Sequence, residues 1–231
     1  MKTVALIVAA GRGERFGGDI PKQFRLVHDR PLLSWTIQQF QQATLVDEIV
    51  PVVAEEFLLF ANEQVVNPYS FTKVREIVRG GDTREESAFN GLKSLPISCG
   101  YVAIHDGARP IVDPVDIDRV IETAQRDRAA VLARPATDTV KRVEGDYILA
   151  TLDRSKIYLA ETPQVFQYDL IMSAHSKFKG SISVTDDAAM VEQLGFKVRT
   201  VIPERPNIKV TTEDDLKLVR GILAETFRTT F

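Results

Sequence analysis

The sequence predicts an α/β fold in which helices cover both faces of a mostly parallel sheet. Residues 4–9 form an almost purely apolar run with β-branched side chains, which is typical of a strand buried on both faces. Strand-like and helix-like stretches then alternate at regular spacing, as they do in doubly wound folds. One interruption of this alternation, at residues 136–154, has the pattern of a β-hairpin. Together these observations predict a Rossmann-like, doubly wound, mostly parallel sheet with a protruding β-hairpin arm.

Composition and charge indicate an ordinary globular protein. Its 231 residues suit one sizeable domain, alone or with a small appendage, and 44% hydrophobic and 26% charged residues are usual for a folded chain. A net charge of −3 argues against a general nucleic-acid binder, which would carry a basic face. No apolar run approaches membrane-spanning length, and no signal-peptide pattern precedes the first strand. We therefore expect a cytoplasmic protein that binds neither nucleic acid nor membrane.

The loop after the first strand has the composition of a phosphate-binding loop. Its position, at the carboxyl end of a parallel strand, is where open α/β sheets bind ligands. Glycines allow backbone N–H groups to approach an anion closely, and cations neutralise that anion. A tight turn without a ligand is the structural alternative. The glycines are Gly11, Gly13, Gly17 and Gly18, and the interleaved cations are Arg12, Arg15 and Lys22.

Two common phosphate loops are excluded by inspection. A dinucleotide-binding G-x-G-x-x-G fingerprint requires glycine where Phe16 stands, which disfavours a dinucleotide-dependent oxidoreductase. A P-loop requires serine or threonine after its lysine, but Gln23 follows Lys22. What remains, A-A-G-x-G-x-R followed by P-K-Q, resembles the signature of sugar-nucleotide-type nucleotidyltransferases.

The next elements continue the α/β alternation. We expect a helix that begins at Pro31 and runs to Ala43, a strand at 48–54, helix-like residues at 55–66 and a strand at 74–79. Because strands alternate with helices, the sheet should be mostly parallel.

Residues 79–87, R-G-G-D-T-R-E-E-S, form a second strand-to-helix junction. Two glycines bring bare backbone to the sheet edge, and the T-x-x-E pattern predicts a capping box for the following helix. On the functional interpretation, the glycine backbone and Ser87 line a pocket for a nucleobase. On the structural alternative, capping alone explains Asp82, Thr83 and Glu86.

A strand at 101–104 leads into the motif H-D-G-A-R-P. Asp106 comes at the carboxyl end of a central strand, where a metal–triphosphate complex would be met and where a hard carboxylate suits Mg²⁺. The alternative is that Asp106 caps backbone amides and pairs with Arg109 on the surface. Asp113, followed by proline, then predicts the N-cap of the next helix.

The alternation of strands and helices is interrupted after this helix. A strand at 130–134 is followed by two alternating runs about a Glu144-Gly145 turn, which predict the hairpin arm. An arm of this kind cannot bury its apolar side alone. We therefore predict that it packs on a second subunit, in a two-fold homodimer.

The remaining elements return to the domain. Lys209 is flanked by Ile208 and Val210, so if those two face the core, Lys209 faces outward or into a cleft. We expect a strand at 160–166, a helix at 168–178, a helix N-capped by Thr185 with Asp186 and Asp187 in its first turn, a strand at 197–202, an edge segment at 207–211 and a final helix at 214–227.

Several motifs occur in one order along the chain: AAGRGERF, PKQ, GGDTREES, HDGARP, TDTVK, DR, ETPQ, TDD and NIKVT. Together they resemble the 2-C-methyl-D-erythritol 4-phosphate cytidylyltransferase family of the non-mevalonate isoprenoid pathway. The resemblance implies one nucleotidyltransferase domain over 1–231, with the arm at 136–154 serving dimerisation. It also implies transfer of CMP from CTP to 2-C-methyl-D-erythritol 4-phosphate, which gives 4-diphosphocytidyl-2-C-methyl-D-erythritol and pyrophosphate, with Mg²⁺ as the divalent cation.

The resemblance assigns roles to matching positions. Arg15 and Lys22 hold the CTP phosphates, and Lys209 adds positioning and electrostatic stabilisation. Asp106 and Arg109 lie near the ribose, the metal and the acceptor. One departure is glycine at position 107, where relatives often have alanine. The nucleotide positions are Ala9, Ala10, Gly11, Gly13, Gly81, Asp82 and Ser87, and the acceptor positions are Thr162 and Thr185 together with Thr139 and Arg154, which the arm would contribute to a partner subunit's site.

The residue types agree with the chemistry that this family implies. The acceptor phosphate attacks the α-phosphorus of CTP in line and pyrophosphate leaves, so the developing charge must be met by fixed cations. A phosphate monoester is already a nucleophile, so no general base is required, and the sequence shows no Ser-His-Asp or Cys-His constellation. Two other activities stay open: a ribitol 5-phosphate cytidylyltransferase of the same fold, and a nucleotide-binding module without catalysis.

Overall fold

A computed structural model describes residues 1–11, 20–178 and 186–228 of the chain. Among these residues, no helix has the length and apolar character that a membrane crossing needs. The strands are β1 Lys2–Ala9, β2 Leu26–Val27, β3 Arg30–Pro31, β4 Glu48–Val53, β5 Val78–Arg79, β6 Cys99–Asp106, β7 Ala129–Pro135, β8 Lys141–Glu144, β9 Tyr147–Thr151, β10 Tyr158–Gln167 and β11 Arg199–Val201. The helices are α1 Leu32–Gln42, α2 Leu58–Phe60, α3 Arg84–Ser94, α4 Pro114–Asp127, α5 Tyr168–Phe178, α6 Asp187–Gln193 and α7 Glu213–Arg228.

The main sheet has the strand order β11-β7-β10-β6-β1-β4-β5. β1 pairs in parallel with β4 and β6, and the β4–β5 and β7–β11 pairs are also parallel. β10 lies antiparallel between β6 and β7. The predicted α/β fold with a mostly parallel sheet is therefore confirmed. Because the strand order reverses beside β1, a crevice forms at the carboxyl ends of the central strands.

Alternate residues of β1 face two apolar layers. Ala5 and Ile7 pack in the layer that contains α1 and α4, and Val4 and Leu6 pack in the layer that contains α3, α5 and α6. Leu6 and Ile7 are completely buried, so each contributes about 1.5–3 kcal/mol relative to exposure in water. A strand held on both faces in this way places Ala9 firmly at the edge of the sheet.

A third apolar cluster joins the last helix to that edge. Val219 of α7 packs with Trp35 and Val210, all of them buried. The backbone N–H of Val210 donates to the carbonyl of Ala108 at 2.8 Å, which ties the segment before α7 to the turn after β6. Because Val210 faces this cluster, its neighbour Lys209 points away from it, as the alternation of its apolar neighbours predicted.

The predicted hairpin arm is confirmed. β8 and β9 pair antiparallel, and Gly145 turns the chain between them with a φ of 54°, which glycine adopts without steric cost. Both strands are exposed along most of their length, and Tyr147 keeps 79% of its surface accessible. An isolated two-stranded arm gains little stability from its own packing.

Two predicted helix starts differ from the structure. Pro31 is not the first helical residue, because it pairs with Leu26 in the β2–β3 ribbon and caps α1 in an extended conformation. The predicted N-cap Thr185 lies outside the described residues. α6 begins at Asp187, and its N-cap is Asp186, whose carboxylate accepts a hydrogen bond from a backbone N–H of the first turn.

Two predicted extended segments are also shorter than expected. Of the strand predicted at 74–79, Val78–Arg79 pairs with β4, and Val74 forms a single bridge to Ile49. The residues between them give the sheet little apolar contact, because Arg75 and Glu76 are exposed and Ile77 is only half-buried against the layer that contains α1 and α4. The segment 207–211 contains no strand and is held by the backbone bond that joins it to the turn after β6.

The helix-like stretch predicted after β4, at 55–66, is broken into short 3₁₀, α and π turns.

Candidate active site

A cleft of about 1170 Å³ opens at the carboxyl edge of the main sheet. Its walls include three stretches of chain, at 8–11, 79–84 and 106–108, which lie at the ends of β1, β5 and β6. The side chains of Lys22 and Lys209 also line it. Parallel strands end at the same edge of a sheet, which is why segments distant in sequence meet here.

The glycine turn after β5 is built around Ser87. The N–H of Gly81 donates to Ser87 Oγ at 3.0 Å, and that hydroxyl donates to the carbonyl of Thr83 at 2.8 Å. Gly80 must lack a side chain, because a Cβ there would lie 2.4 Å from the Cβ of Ala10. The turn therefore packs directly against the backbone that follows β1.

The capping box predicted for this junction is confirmed, and it leaves the cleft open. Thr83 and Glu86 form the predicted capping box, in which each side chain accepts a hydrogen bond from the other's backbone N–H. These bonds stabilise the start of α3 without closing the cleft. The predicted nucleotide positions Ala9, Ala10, Gly11, Gly81, Asp82 and Ser87 all line the cleft. Their contacts with a base stay predictions.

The P-K-Q motif packs against the turn after β1. Gln23 Nε2 donates to the carbonyl of Ala9 at 2.7 Å and to that of Gly11 at 3.0 Å. Lys22 Nζ donates to the carbonyl of Val210 at 2.8 Å. Gln23 therefore fixes backbone that borders the cleft. Sequence analysis missed this role, because bonds from an amide side chain to backbone carbonyls have no sequence pattern.

Asp106 ends β6 and lies where the cleft meets a second cavity. Its Oδ1 accepts from Arg84 Nε at 3.2 Å, and its Oδ2 lies 2.8 Å from Lys209 Nζ and 3.7 Å from Arg109 Nε. Burial alone would raise the pKa of Asp106, but the charges of Arg84, Lys209 and Arg109 hold it well below its usual range. The carboxylate is therefore ionised at neutral pH. Its approach to Arg109 is buried, not on the surface as the structural alternative supposed.

Arg84 is a residue of the cleft that sequence analysis missed. It is the first residue of α3, and besides Asp106 it binds Asp187, whose Oδ2 accepts from Nη1 at 2.7 Å. Burial would lower the pKa of Arg84, but the charges of Asp187 and Asp106 raise it above its usual value. A cation at a helix N-terminus is unfavourable unless a specific partner holds it. The arginine in G-G-D-T-R could have been singled out on that ground.

A smaller cavity of about 230 Å³ adjoins the cleft. The two cavities share Arg84, Asp106 and Lys209 in their walls. Arg109 also lines the smaller cavity, and its Nη1 donates to the carbonyl of Asn207 at 2.6 Å. Its wall carries charges of both signs, so it suits a small polar molecule whose anionic group can contact the cations: the cations are Arg84, Arg109 and Lys209, and the carboxylates are Asp106, Glu161 and Asp186.

A buried hydrogen-bond network fixes the turn after β6. The N–H of Asp106 donates to Thr162 Oγ1 at 3.1 Å. The carbonyl of Arg109 can only accept, so the neutral imidazole of His105 carries its proton on Nε2, which donates to that carbonyl at 3.2 Å. Nδ1 is then an acceptor, and the hydroxyl of Thr162 donates to it at 3.0 Å. Thr162 also lines the smaller cavity, as predicted for an acceptor position. The role of His105 was missed by the sequence analysis.

Other predicted site residues lie elsewhere. Thr139 and Arg154 are exposed residues of the arm that flank its two strands, and they are not among the described residues that line either cavity. Gly13, Arg15 and Thr185 lie outside the described residues, so their roles stay predictions.

Gly107 has a packing role. Its N–H donates to the carbonyl of Val8 at 2.8 Å, and a Cβ at this position would lie 2.8 Å from the Cβ of Ala9. Glycine therefore lets the ends of β1 and β6 approach each other closely at the floor of the cleft.

At this edge of the sheet, the described side chains could supply only part of the ligands of a metal ion. In the described part of the chain, no group of three or more His, Cys, Asp or Glu side chains could hold an ion. Asp106 offers carboxylate oxygens that already face Arg84 and Lys209. A hard cation held here would therefore take most of its oxygen ligands from a polyphosphate and water.

We predict that His105 makes stability depend on pH. Burial lowers the pKa of His105 from 6.5 to about 3, so the folded protein keeps the ring neutral while the unfolded chain takes up a proton. Stability should therefore fall as the pH drops below about 6.5, by up to about 1.4 kcal/mol per pH unit from this residue. Urea unfolding of the wild type and of His105→Gln should show a shallower pH dependence in the variant.

The window for this comparison is about pH 6.5 to 4.5. Other carboxyl groups with shifted pKa values, namely Asp106, Asp187 and Glu161, are present in both proteins, so their contributions cancel in the comparison. Equal slopes for the two proteins in this window would contradict the prediction.

The geometry defines a class of protein. A crevice at the reversal of strand order, with bare glycine backbone on its wall and lysines at its mouth, is suited to a nucleotide. The smaller cavity shares charged groups with the cleft, so a second polar ligand bound there would lie beside a nucleotide in the cleft. This arrangement is that of a nucleotidyltransferase.

Comparison with known proteins identifies the family. Residues 3–225 match the family model described as 2-C-methyl-D-erythritol 4-phosphate cytidylyltransferase. A protein of that name from Syntrophus aciditrophicus (strain SB) is 44% identical over 228 residues, which cover 98% of this chain and 95% of the relative. One from Geobacter metallireducens is 41% identical over 233 residues, covering 97% and 99%. The crystal structure of 4-diphosphocytidyl-2C-methyl-D-erythritol synthase from Anaerococcus prevotii DSM 20548 matches with a TM-score of 0.85 and 29% identity, over 96% of each chain.

The chain belongs to the 2-C-methyl-D-erythritol 4-phosphate cytidylyltransferase family. The resemblance drawn from the order of its motifs is thereby confirmed.

Proposed function

We propose that this chain transfers CMP from CTP to the phosphate of 2-C-methyl-D-erythritol 4-phosphate. The products are 4-diphosphocytidyl-2-C-methyl-D-erythritol and pyrophosphate, in the non-mevalonate pathway to isoprenoids. The observation that carries the proposal is the shared border of the two cavities, where Arg84, Asp106 and Lys209 would lie beside both reacting phosphates. CTP is a cytoplasmic nucleotide, so we also propose a cytoplasmic location.

The reaction is an in-line displacement at the α-phosphorus of CTP. An oxygen of the acceptor phosphate forms the new P–O bond, the bond from the α-phosphorus to the β-bridging oxygen breaks, and pyrophosphate leaves with that electron pair. The acceptor monoester is largely dianionic at neutral pH, because the second pKa of such a phosphate is about 6. No general base is needed. The work of the protein is to align the two phosphates and to stabilise the developing charge.

The cations of the cleft are placed for this work before substrate arrives. Lys209 is held by Asp106, and the carbonyl that accepts from Lys22 lies next to Lys209 in the chain. These lysines would meet the CTP phosphates together with Arg15 of the glycine loop. Arg109, in the smaller cavity, would meet the acceptor phosphate. Preorganised cations cost no reorganisation at the moment of reaction, which is the main source of electrostatic catalysis.

We propose that Mg²⁺ enters with the nucleotide, as the Mg²⁺ complex of CTP. Phosphate oxygens are the ligands that this ion prefers, and Asp106 can add one carboxylate oxygen. With the ion bound there, the polyphosphate would carry less net negative charge, which favours departure of pyrophosphate.

Pyrophosphate release from CTP and Mg²⁺ tests the activity. 2-C-methyl-D-erythritol 4-phosphate should support turnover, and ribitol 5-phosphate offered in parallel should not. Lys22→Ala should lower turnover on the order of 100-fold, because it removes one fixed cation. Turnover with ribitol 5-phosphate alone would support the proposed transfer of CMP and contradict the proposed acceptor. Absence of turnover with both acceptors would favour a nucleotide-binding module without catalysis.

We further propose that the arm covers a second copy of the chain in a homodimer. Val143, Tyr147 and Ile148 of the arm are 59%, 79% and 62% exposed, and clustered apolar residues of this kind mark interaction surfaces. Thr139 and Arg154 flank the arm and are not among the described residues that line their own chain's cavities. Packing of the arm on a partner would bring these two side chains to the partner's acceptor cavity.

Mixing two inactive variants tests this shared site. Lys22→Ala damages the cleft and Arg154→Ala damages the arm, so a mixed dimer would contain one intact site. Co-refolded variants should recover about a quarter of the wild-type activity, as expected if subunits pair at random and half of the sites in each mixed dimer are intact.

The control mixes Lys22→Ala with Lys209→Ala, which damage the same cleft and should restore nothing. Recovery in the control as large as in the test pair, or none in the test pair, would contradict the shared site.

A further inference from the structure

Charged side chains continue from the cleft into the interior of the protein. Arg84 faces Asp106 through Nε at 3.2 Å and donates from Nη1 to Asp187 at 2.7 Å. On the far side of Asp187, His175 Nε2 lies 3.1 Å from Oδ1. From the interior outward, the order is therefore His175, Asp187, Arg84 and Asp106, with charged or hydrogen-bonding atoms in contact at every step.

The two inner residues are enclosed. Asp187 is 0% exposed and His175 is 1% exposed, and neither is among the described residues that line a cavity. Phe89 stacks on the imidazole with ring centroids 5.9 Å apart. Gln164 fixes the start of α6, since its Oε1 accepts from the N–H of Ala188 at 2.9 Å. Through the described contacts, Asp187 reaches the cleft by way of Arg84.

Stability alone gives a weak reason for this arrangement. Burial would raise the pKa of Asp187, but the charge of Arg84 and the hydrogen bond from His175 lower it, so the carboxylate is ionised. A buried ion pair contributes little net stability compared with apolar side chains of the same volume. The ion pair has a clearer effect on the orientation of Arg84. Because a guanidinium is a rigid planar fork, a partner that fixes Nη1 of Arg84 also fixes the direction of Nε.

We propose that the Asp187–His175 pair is a positioning device for the transfer reaction. His175 orients the Asp187 carboxylate, Asp187 sets the plane of Arg84, and Arg84 holds Asp106 at the border between the cleft and the smaller cavity. The proposal rests on the proposed function, because that border is where the two phosphates would meet. Asp187 and His175 touch no reacting atom and act through Arg84.

Asp187→Asn tests this device, because it keeps the shape of the side chain and removes the charge that holds Arg84. The kcat should fall on the order of tenfold, since small misplacements near the reacting centre are costly. The KM for CTP should change by less than about threefold, because the glycine turn that would contact the base, and Lys22, share no described contact with Asp187 and stay in place. Steady-state pyrophosphate release measures both constants.

Asp116 provides a matched control. It is 1% exposed and pairs with Arg119 Nη1 at 2.7 Å, and it is not among the described residues that line either cavity. Asp116→Asn should lower the unfolding midpoint and leave kcat unchanged. An equal loss of kcat in both variants would reflect general destabilisation and would overturn the proposal.

A double-mutant cycle separates positioning through Arg84 from any other effect. In an Arg84→Gln background, Asp187→Asn should cost nothing more in kcat, so the double variant should match Arg84→Gln within about twofold. Additive losses would overturn the proposal. If Asp187→Asn does not fold, His175→Leu, which removes the hydrogen bond to Asp187, takes its place in the cycle with the same expectation.

NMR provides a readout that does not depend on activity. The Nε–H signal of Arg84, assigned by its loss in Arg84→Gln, should exchange with water at least about tenfold faster in Asp187→Asn and at the wild-type rate in Asp116→Asn. Unchanged exchange in Asp187→Asn would overturn the proposal. Absence of wild-type turnover would count against the proposed function instead, and the exchange rates would still decide whether Asp187 positions Arg84.

Discussion

The active site depends on one carboxylate that is held between two cations at the end of a buried strand. Asp106 faces Arg84 with one oxygen and Lys209 with the other. This contact joins three parts of the chain: the start of α3, the end of β6 and the segment before α7. Charges interact more strongly in such a partly buried setting than at the surface. The cleft and the smaller cavity, which we propose bind the nucleotide and the acceptor, therefore have a common, charged border.

Apolar packing places this border, and side-chain hydrogen bonds orient it. The buried strands β1 and β6 set the positions of the turns that follow them. Gln23 holds the turn after β1 by hydrogen bonds to its carbonyls. Thr162 holds the turn after β6 by its contacts with the N–H of Asp106 and with His105. Asn207 Nδ2 donates to the carbonyl of Thr162 at 2.7 Å, which adds the segment before α7 to the same network. Phosphoryl transfer without a covalent intermediate depends on both kinds of contact, because its rate enhancement comes mainly from alignment of the reacting groups and from electrostatic stabilisation.

The features that could be predicted from sequence are those that depend on local pattern. A continuous apolar run predicted β1, alternation about a turn predicted the arm, and the apolar neighbours of Lys209 predicted its orientation. The contacts that were missed join residues far apart in the chain: Arg84 and Asp187 are separated by 103 positions, and Lys22 and Val210 by 188. No periodicity reports such a contact. The phosphate-binding character of the glycine loop followed from its composition and position. The identity of the substrates, and the roles of Thr139 and Arg154, came from the resemblance, since neither hydropathy nor spacing reveals a substrate.

The single-turnover rate of CMP transfer by Asp106→Asn tests the central claim most directly. Asparagine keeps the shape of the side chain and removes the charge between Arg84 and Lys209. The account predicts that the chemical step slows on the order of 100-fold while the affinity for CTP changes little, because the turn that faces the base is untouched. A wild-type rate in a folded Asp106→Asn chain would contradict the account, since the shared carboxylate would then not align the two phosphates.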